Sequence, residues 1–262
     1  MTPIHFVKMH GIGNDFVVID AINQKINSTQ LPIAKLSNRN TGIGFDQLLM
    51  IEPSKNADFF CRIFNADGSE AEQCGNGLRC VARFLHENGL TKNKSFSLET
   101  KAGVFPVEIN DYNHVRVTMG VPEIKEPLVQ INVDHLTMPI SVLSMGNPHA
   151  VLKVDELKEI NAAKLAPVIA SQKYFPHGAN VGFMQILNKD HIRLRTFERG
   201  AGETLACGSN ACASAVAGIK NGWLAPQVQV EFSQGSVWVE WQGDGQVAHL
   251  TGSAEMVFTG QI

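Results

Sequence analysis

The chain has 262 residues, 44% of them apolar and 18% charged, with a formal net charge of −3. That composition supports a well-filled core, and the near-neutral balance gives no electrostatic reason to expect nucleic acid or an anionic membrane as partner. No apolar run reaches the ~20 residues a membrane-spanning helix needs, and the N-terminal MTPIHFVKMHGIGNDF lacks a basic segment followed by an apolar one, so a cytoplasmic location is expected.

In chain order, residues 4–7 and 16–19 read as short β-branched strands around the turn HGIGND. The GIG of that turn lacks the third glycine of a dinucleotide fingerprint, because Phe16 stands at that position. Residues 31–40 read as a short helix, 41–47 (TGIGFDQ) as a turn, and 47–51 and 59–64 as strands. A polar loop, NADGSEAEQ, then leads into Cys74. From Gly75 a helix is predicted, because Leu78, Val81, Phe84 and Leu85 recur at helical spacing. Asn88-Gly89 supplies its stop. Residues 95–100, 104–109 and 115–118 read as strands.

The second half repeats the order. Residues 141–145 lead into the turn GNPH, 150–154 form a strand, and 155–170 read as one helix. Strands follow at 183–187 and 192–197, the loop ERGAGETLA enters Cys207, and a small-faced helix (Ala211, Ala215, Val216, Ile219) stops at Asn221-Gly222. Strands at 228–232, 236–241 and 248–251 complete the series. The pattern predicts an α+β fold (α/β in some schemes).

The repetition is visible residue by residue. Between 62–89 and 195–222 there are eight identities at a constant offset of 133, including Arg62/Arg195, Glu70/Glu203, Cys74/Cys207 and Gly75/Gly208. Chance predicts roughly one or two at ordinary composition, so the chain reads as one unit written twice. The halves are 1–118 with the tail 253–262, carrying Cys74, and 119–252, carrying Cys207.

Five cysteines without a leader argue against a disulfide framework, and their spacings are not those of zinc knuckles, so no metal is expected. Cys61, Cys80 and Cys212 read as small core residues. Cys74 and Cys207 read differently: each follows a polar loop, precedes glycine and opens a helix. A thiol there meets free backbone N–H groups and the positive end of the helix macrodipole, both of which favour thiolate. The same N–H groups can cradle a carboxylate. Two such sulfurs, one from each half, meeting at one cleft suit inversion of a carbon beside a carboxylate: one removes a proton from one face and the other returns a proton to the opposite face. A thiol–disulfide function is weaker, because the pair is split between halves rather than set in a CxxC.

The segments MHGIGNDF, GIGFDQ, FNADGSEAEQCGNG, SMGNPH, FERGAGETLACGS and TGSAEMVF together resemble the diaminopimelate epimerase family over nearly the whole chain. The resemblance implies two pseudo-symmetric halves, each a mostly antiparallel, β-barrel-like array around a central helix. It implies an isomerase that needs no cofactor and interconverts LL- and meso-2,6-diaminopimelate, a lysine and peptidoglycan precursor. It casts Cys74 and Cys207 as the catalytic pair. Asn14, Gln47, Asn65, Asn147, Asn180, Glu198 and Arg199 become substrate-binding, and Gly75, Asn76, Gly208 and Ser209 become the cradle for the reacting carboxylate. His149 and Glu198 become modulators of thiol pKa. The offset of 133 supports the mapping, since it pairs Asn14 with Asn147, Gln47 with Asn180 and Asn65 with Glu198. Taken singly, Asn14 and Asn147 read as turn formers, His149 as structural, and Glu198 and Arg199 as a solvated pair.

The chain departs from the family pattern twice. Asn210 stands where glycine is usual, and Phe258 stands near a tyrosine linked to dimerisation, which weakens the homodimer that the resemblance raises. Two alternatives remain: a proline or hydroxyproline racemase of the same fold, and a non-catalytic amino acid binding protein.

Overall fold

Two adjacent stretches, FVVI in residues 16–19 and LLMI in 48–51, are apolar at every position and buried at every position. Continuous burial is the mark of paired parallel strands covered on both faces. In the computed structural model, which describes residues 3–24, 26, 31–133 and 136–262, these stretches are neighbours in parallel register, Phe16 against Gln47 through Asp20 against Ile51. Around them the chain forms two units, 1–117 with 252–262, and 118–251.

The first unit contains β1 (His5–Gly11), β2 (Asn14–Asp20), α1 (Ile33–Ser37), β3 (Gln47–Glu52), β4 (Phe59–Asn65), β5 (Glu70–Ala71), α2 (Gly75–Glu87), β6 (Ser95–Thr100), β7 (Gly103–Asp111) and β8 (His114–Thr118). The second contains β9 (Glu123–Val133), β10 (Leu136–Ser144), β11 (Pro148–Val154), a 3-10 turn at Leu157–Glu159, α3 (Ala162–Ala170), β12 (Asn180–Asn188), β13 (His191–Glu198), β14 (Gly202–Thr204), α4 (Gly208–Lys220), β15 (Gln227–Phe232), β16 (Gly235–Glu240) and β17 (His249–Gly252). The last strand, β18 (Glu255–Gln261), pairs with β1 in the first unit.

Strand for strand, the two units share one topology. In the first, β18 pairs with β1, β1 with β2, β2 with β3, β3 with β4, and β4 with both β5 and β6. In the second, β9 pairs with β10, β10 with β11, β11 with β12, β12 with β13, and β13 with both β14 and β15. The parallel contacts fall at equivalent places, β2–β3 with β11–β12 and β4–β6 with β13–β15; the other pairings are antiparallel. The end of the chain therefore takes in the first unit the place that β9 takes in the second.

Each array wraps one central helix. α2 packs on β1, β2, β3 and β7, and α4 packs on β10 to β13, β15 and β16. α2 buries Leu78, Val81 and Leu85 completely, each worth about 1.5–3 kcal/mol of transfer free energy. The tail is fastened to that helix by Arg79 Nε, which donates to the Ser253 carbonyl at 3.1 Å, and by Arg83 Nη1, which donates to the Ala254 carbonyl at 2.5 Å. The strands' other faces are covered separately. In the first unit Val17, Ile19, Leu48 and Met50 pack with Ile33 of α1, and in the second Ala150, Leu152, Val181 and Phe183 pack with Ala166 and Ile169 of α3.

The differences from the sequence reading are local. The helix expected over 155–170 is split, because Asn161 caps a new start by accepting from Lys164 N. The helix expected over 31–40 shrinks to α1, whose first turn follows Pro32. β9 and β18 were not expected: both are edge strands with mostly exposed residues, so neither carries an apolar alternation to read.

Candidate active site

Cys74 and Cys207 occupy the same structural position, each as the N-cap of its unit's central helix with an extended backbone (φ −148° and −138°). An N-cap side chain faces helix N–H groups that have no partner inside the helix. Cys74 Sγ accepts from Gly77 N at 3.4 Å. Cys207 Sγ lies 3.4 Å from Ser209 Oγ. Gly75 and Gly208, the first helical residues, are buried, so the backbone approaches closely there.

In the first unit, the expected residues Asn14, Gln47 and Asn65 sit at the ends of neighbouring strands, and Asn14 reaches Cys74. Asn14 opens β2 directly after a two-residue hairpin turn in which Ile12 (φ 49°) and Gly13 (φ 87°) both take positive φ, the demand of a primed turn. A buried β-branched residue in that region is strained, and strain of this kind persists where the surroundings over-determine it. Asn14 Oδ1 accepts from Asn76 Nδ2 at 3.3 Å and from the Cys74 thiol at 3.6 Å. Gln47 opens β3 and Asn65 closes β4, directly opposite in register, and Gln47 Nε2 donates to Asn65 Oδ1 at 3.0 Å. Asn65 Nδ2 in turn donates to Ser69 Oγ. Two buried acceptors, Gln47 Oε1 and Asn76 Oδ1, have no hydrogen-bond partner among the described residues, the kind of group that carries a cost unless something donates to it.

In the second unit, the equivalent strand ends carry different groups. His149 Nε2 and Asn147 Oδ1 lie 3.0 Å apart. His149 is wholly buried; burial depresses its pKa to about 3, against a smaller opposing effect of the Asn210 side chain, so the imidazole is neutral near pH 7. Asn180 Oδ1 accepts from Arg199 N at 2.9 Å, and Arg199 Nη1 donates to the His177 carbonyl. Glu198 Oε1 accepts from Thr204 Oγ1 at 2.5 Å. The Cys207 thiol is pushed up first by burial and then by the adjacent Glu198 carboxylate, to which it donates, and is only partly relieved by Ser209 and by Asn210 N.

The other thiols have no such surroundings. Cys61 and Cys80 are fully buried and pushed up by desolvation, Cys80 to about 12. Asn210 is buried, its Nδ2 donating to the Val181 carbonyl and to Thr196 Oγ1, and its Oδ1 occupies space that opens only because residue 182 is glycine. Among the described residues no three His, Cys, Asp or Glu side chains gather as a metal site, and no helix is long and apolar enough to cross a membrane.

Several residues in contact with this site were not singled out from the sequence, Ser69, Thr204 and Asp46 among them. Asp46, in the turn before β3, accepts from Asn14 Nδ2 at 2.8 Å. The signal was present in GFDQ, an acid one residue before a strand-opening glutamine, but the side-chain contact belongs to the tertiary fold.

Paired units, each an array of strands around one central helix, define the fold class: the diaminopimelate epimerase-like fold, which solved epimerases and PhzF-type proteins share. By structure, the chain is similar to a hydroxyproline epimerase from Agrobacterium vitis (TM-score 0.75, 17% identity, 99% of this chain and 92% of the other). It is also similar to a Bacillus anthracis phenazine biosynthesis protein of the PhzF family (TM-score 0.76, 20% identity, 100% and 99%). By sequence, the profile of the family described as diaminopimelate epimerase matches residues 6–125 and 141–257. A diaminopimelate epimerase of Nitrosospira multiformis is 46% identical over 271 residues, covering 99% of this chain and 98% of that protein. The chain belongs to the diaminopimelate epimerase family.

Proposed function

We propose that this protein is an isomerase that interconverts LL- and meso-2,6-diaminopimelate in lysine biosynthesis, with Cys74 and Cys207 as its two acid–base groups. The observation that carries the reading is the matched placement of the two sulfurs, each the N-cap of the central helix of its unit, in a chain of this family. In the mechanism one sulfur, as thiolate, takes the α-proton from one face of the reacting carbon. The electron pair left behind delocalises into the adjacent carboxylate, whose oxygens are met by helix N-terminal N–H groups beginning at Gly75, Asn76, Gly208 and Ser209. The other sulfur, as thiol, gives its proton to the opposite face and becomes the thiolate, and the reverse reaction exchanges the roles. The carboxylate of Glu198 modulates the Cys207 thiol by favouring its protonated, proton-donating form, and the neutral His149 lies against Asn147.

The remaining assignments belong to the same proposal. Asn14, Gln47, Asn65, Asn147, Asn180 and Arg199 hold the substrate, with Arg199 suited to the distal carboxylate and the unpartnered oxygens of Gln47 and Asn76 suited to an ammonium group. The halves are 1–118 with 253–262, and 119–252; the cytoplasm and a homodimer complete the reading.

The test is incorporation of solvent deuterium at the α-carbon of diaminopimelate, without added cofactor. Cys74→Ala and Cys207→Ala should each abolish epimerisation while the protein stays folded by circular dichroism. Turnover retained in either variant refutes the two-thiol mechanism.

A further inference from the structure

Among the described residues, Asn14 is tied to a carboxylate and its counterpart Asn147 is not. Asn14 Nδ2 donates to Asp46 Oδ2 at 2.8 Å. Asp46 is itself fixed: Oδ2 also accepts from Asp15 N at 3.2 Å, Oδ1 accepts from Arg39 Nη2 at 2.9 Å, and the Asp46 amide donates to Asp15 Oδ1 at 3.1 Å. Arg39 grips Asp15 through both Nη atoms, and Lys8 pairs with Asp15 from beneath. At 133 residues further on, Asp46 corresponds to Ala179, Asp15 to Pro148 and Arg39 to Gln172, so these three positions carry no charge in the second unit.

A carboxylate only accepts hydrogen bonds, so the atom that Asn14 turns to Asp46 must be its nitrogen. The oxygen is thereby directed at Asn76 Nδ2 and at the Cys74 sulfur. An oxygen at that place accepts from S–H and disfavours S⁻; the amide reversed would do the opposite. Gly77 N of its own helix and the buried, neutral thiols of Cys61 on β4 and Cys80 on α2 also face the sulfur.

We infer that Asp46 is a positioning residue: it fixes the Asn14 amide with its oxygen toward Cys74, so that the free protein holds the proton on Cys74. The consequence for the reaction rests on the epimerase reading; the orientation itself does not.

The experiment compares two variants that lose the same charge. Asp46→Ala removes the acceptor, while Asp46→Asn keeps one oxygen for Asn14 Nδ2. The rate of Cys74 alkylation by iodoacetamide, read by peptide mass spectrometry on the folded, substrate-free protein at pH 7, should be about threefold to tenfold faster in D46A than in D46N, the ratio that one hydrogen bond of ordinary net strength produces. Indistinguishable rates in the two variants overturn the inference. Should D46A not fold, the wild-type protein labelled with ¹⁵N-asparagine answers the same question. The side-chain amide signal lost in Asn14→Asp should show one proton shifted far from its twin and slow to exchange; two equivalent, fast-exchanging protons overturn the inference. Absence of α-proton exchange in the wild type would sink the epimerase reading and leave the alkylation result standing.

Discussion

Asp15→Asn tests how the cluster around Asn14 is held. Burial alone would raise the Asp15 carboxyl, but hydrogen bonds and charge from Arg39 and Lys8 outweigh it and hold the carboxyl at about 2, down from 3.8. A carboxyl with its folded-state pKa depressed stabilises the fold above the unfolded value and loses that contribution as pH falls through the folded one. The interval from 3.8 to about 2 corresponds to about 2 kcal/mol at neutral pH. Arg39 is 59% exposed, so its share is screened and about 1–2 kcal/mol is the better figure. Lys8, only 8% exposed, would be left with the Gly44 carbonyl, and a stranded buried ammonium brings the total cost of the variant to about 2–4 kcal/mol. The assay is urea unfolding of both proteins from pH 7 to pH 2, followed by far-ultraviolet circular dichroism. Both proteins should lose stability between pH 6.5 and about 3 as the unfolded chain protonates His149, which burial keeps neutral when folded. The gap between them should stay open down to pH 4 and close between pH 4 and pH 2. A gap that stays constant to pH 2, or is absent at pH 7, refutes the reasoning.

Two other outcomes follow from packing and burial. A Cβ at residue 182 would stand 2.6 Å from Asn210 Oδ1 and 2.8 Å from Ser214 Oγ, so Gly182→Ala should cost about 1–3 kcal/mol of stability. Asn210→Gly in the same chain should recover a large part of that, and a double-mutant cycle showing strict additivity would contradict it. In the folded protein Cys61 and Cys80, buried and held neutral, should stay unmodified by iodoacetamide while Cys74 reacts; labelling of the two at comparable rates would contradict the packing of α2.

The internal repeat made the architecture legible early, because a duplicated fold repeats its turns as well as its core. Asn88-Gly89 and Asn221-Gly222 end the two central helices at the same place, and the helices begin at the expected glycines. The paired strands β2–β3 were legible from their unbroken apolar runs. β9 and β18 were not, since edge strands with exposed side chains have no periodicity to show. The split at Asn161 was hidden because an asparagine is as compatible with a helix interior as with a cap until the preceding backbone is known. At the candidate site, positions were legible but partners were not: that Asn65 meets Gln47, or that Asn14 meets Asp46, follows from strand register, which a one-residue slip would have reversed.

The register explains why duplication did not leave two identical sites. The same offset that matches Cys74 with Cys207 sets Asn65 against Glu198, Phe16 against His149 and Asp46 against Ala179. The first unit thus sets beside its sulfur an amide tied to a carboxylate, while the second sets beside its sulfur a carboxylate that accepts a hydrogen bond from the thiol. On the proposed chemistry this difference has a use. The reacting carbon inverts, so two equivalent acid–base groups serve it; the distal centre does not invert, so recognising it requires groups that the halves do not share. Matched sulfurs with unmatched surroundings are what such a substrate demands, whereas a small substrate with no distal centre would leave Arg199 and the asparagines at the strand ends without a task.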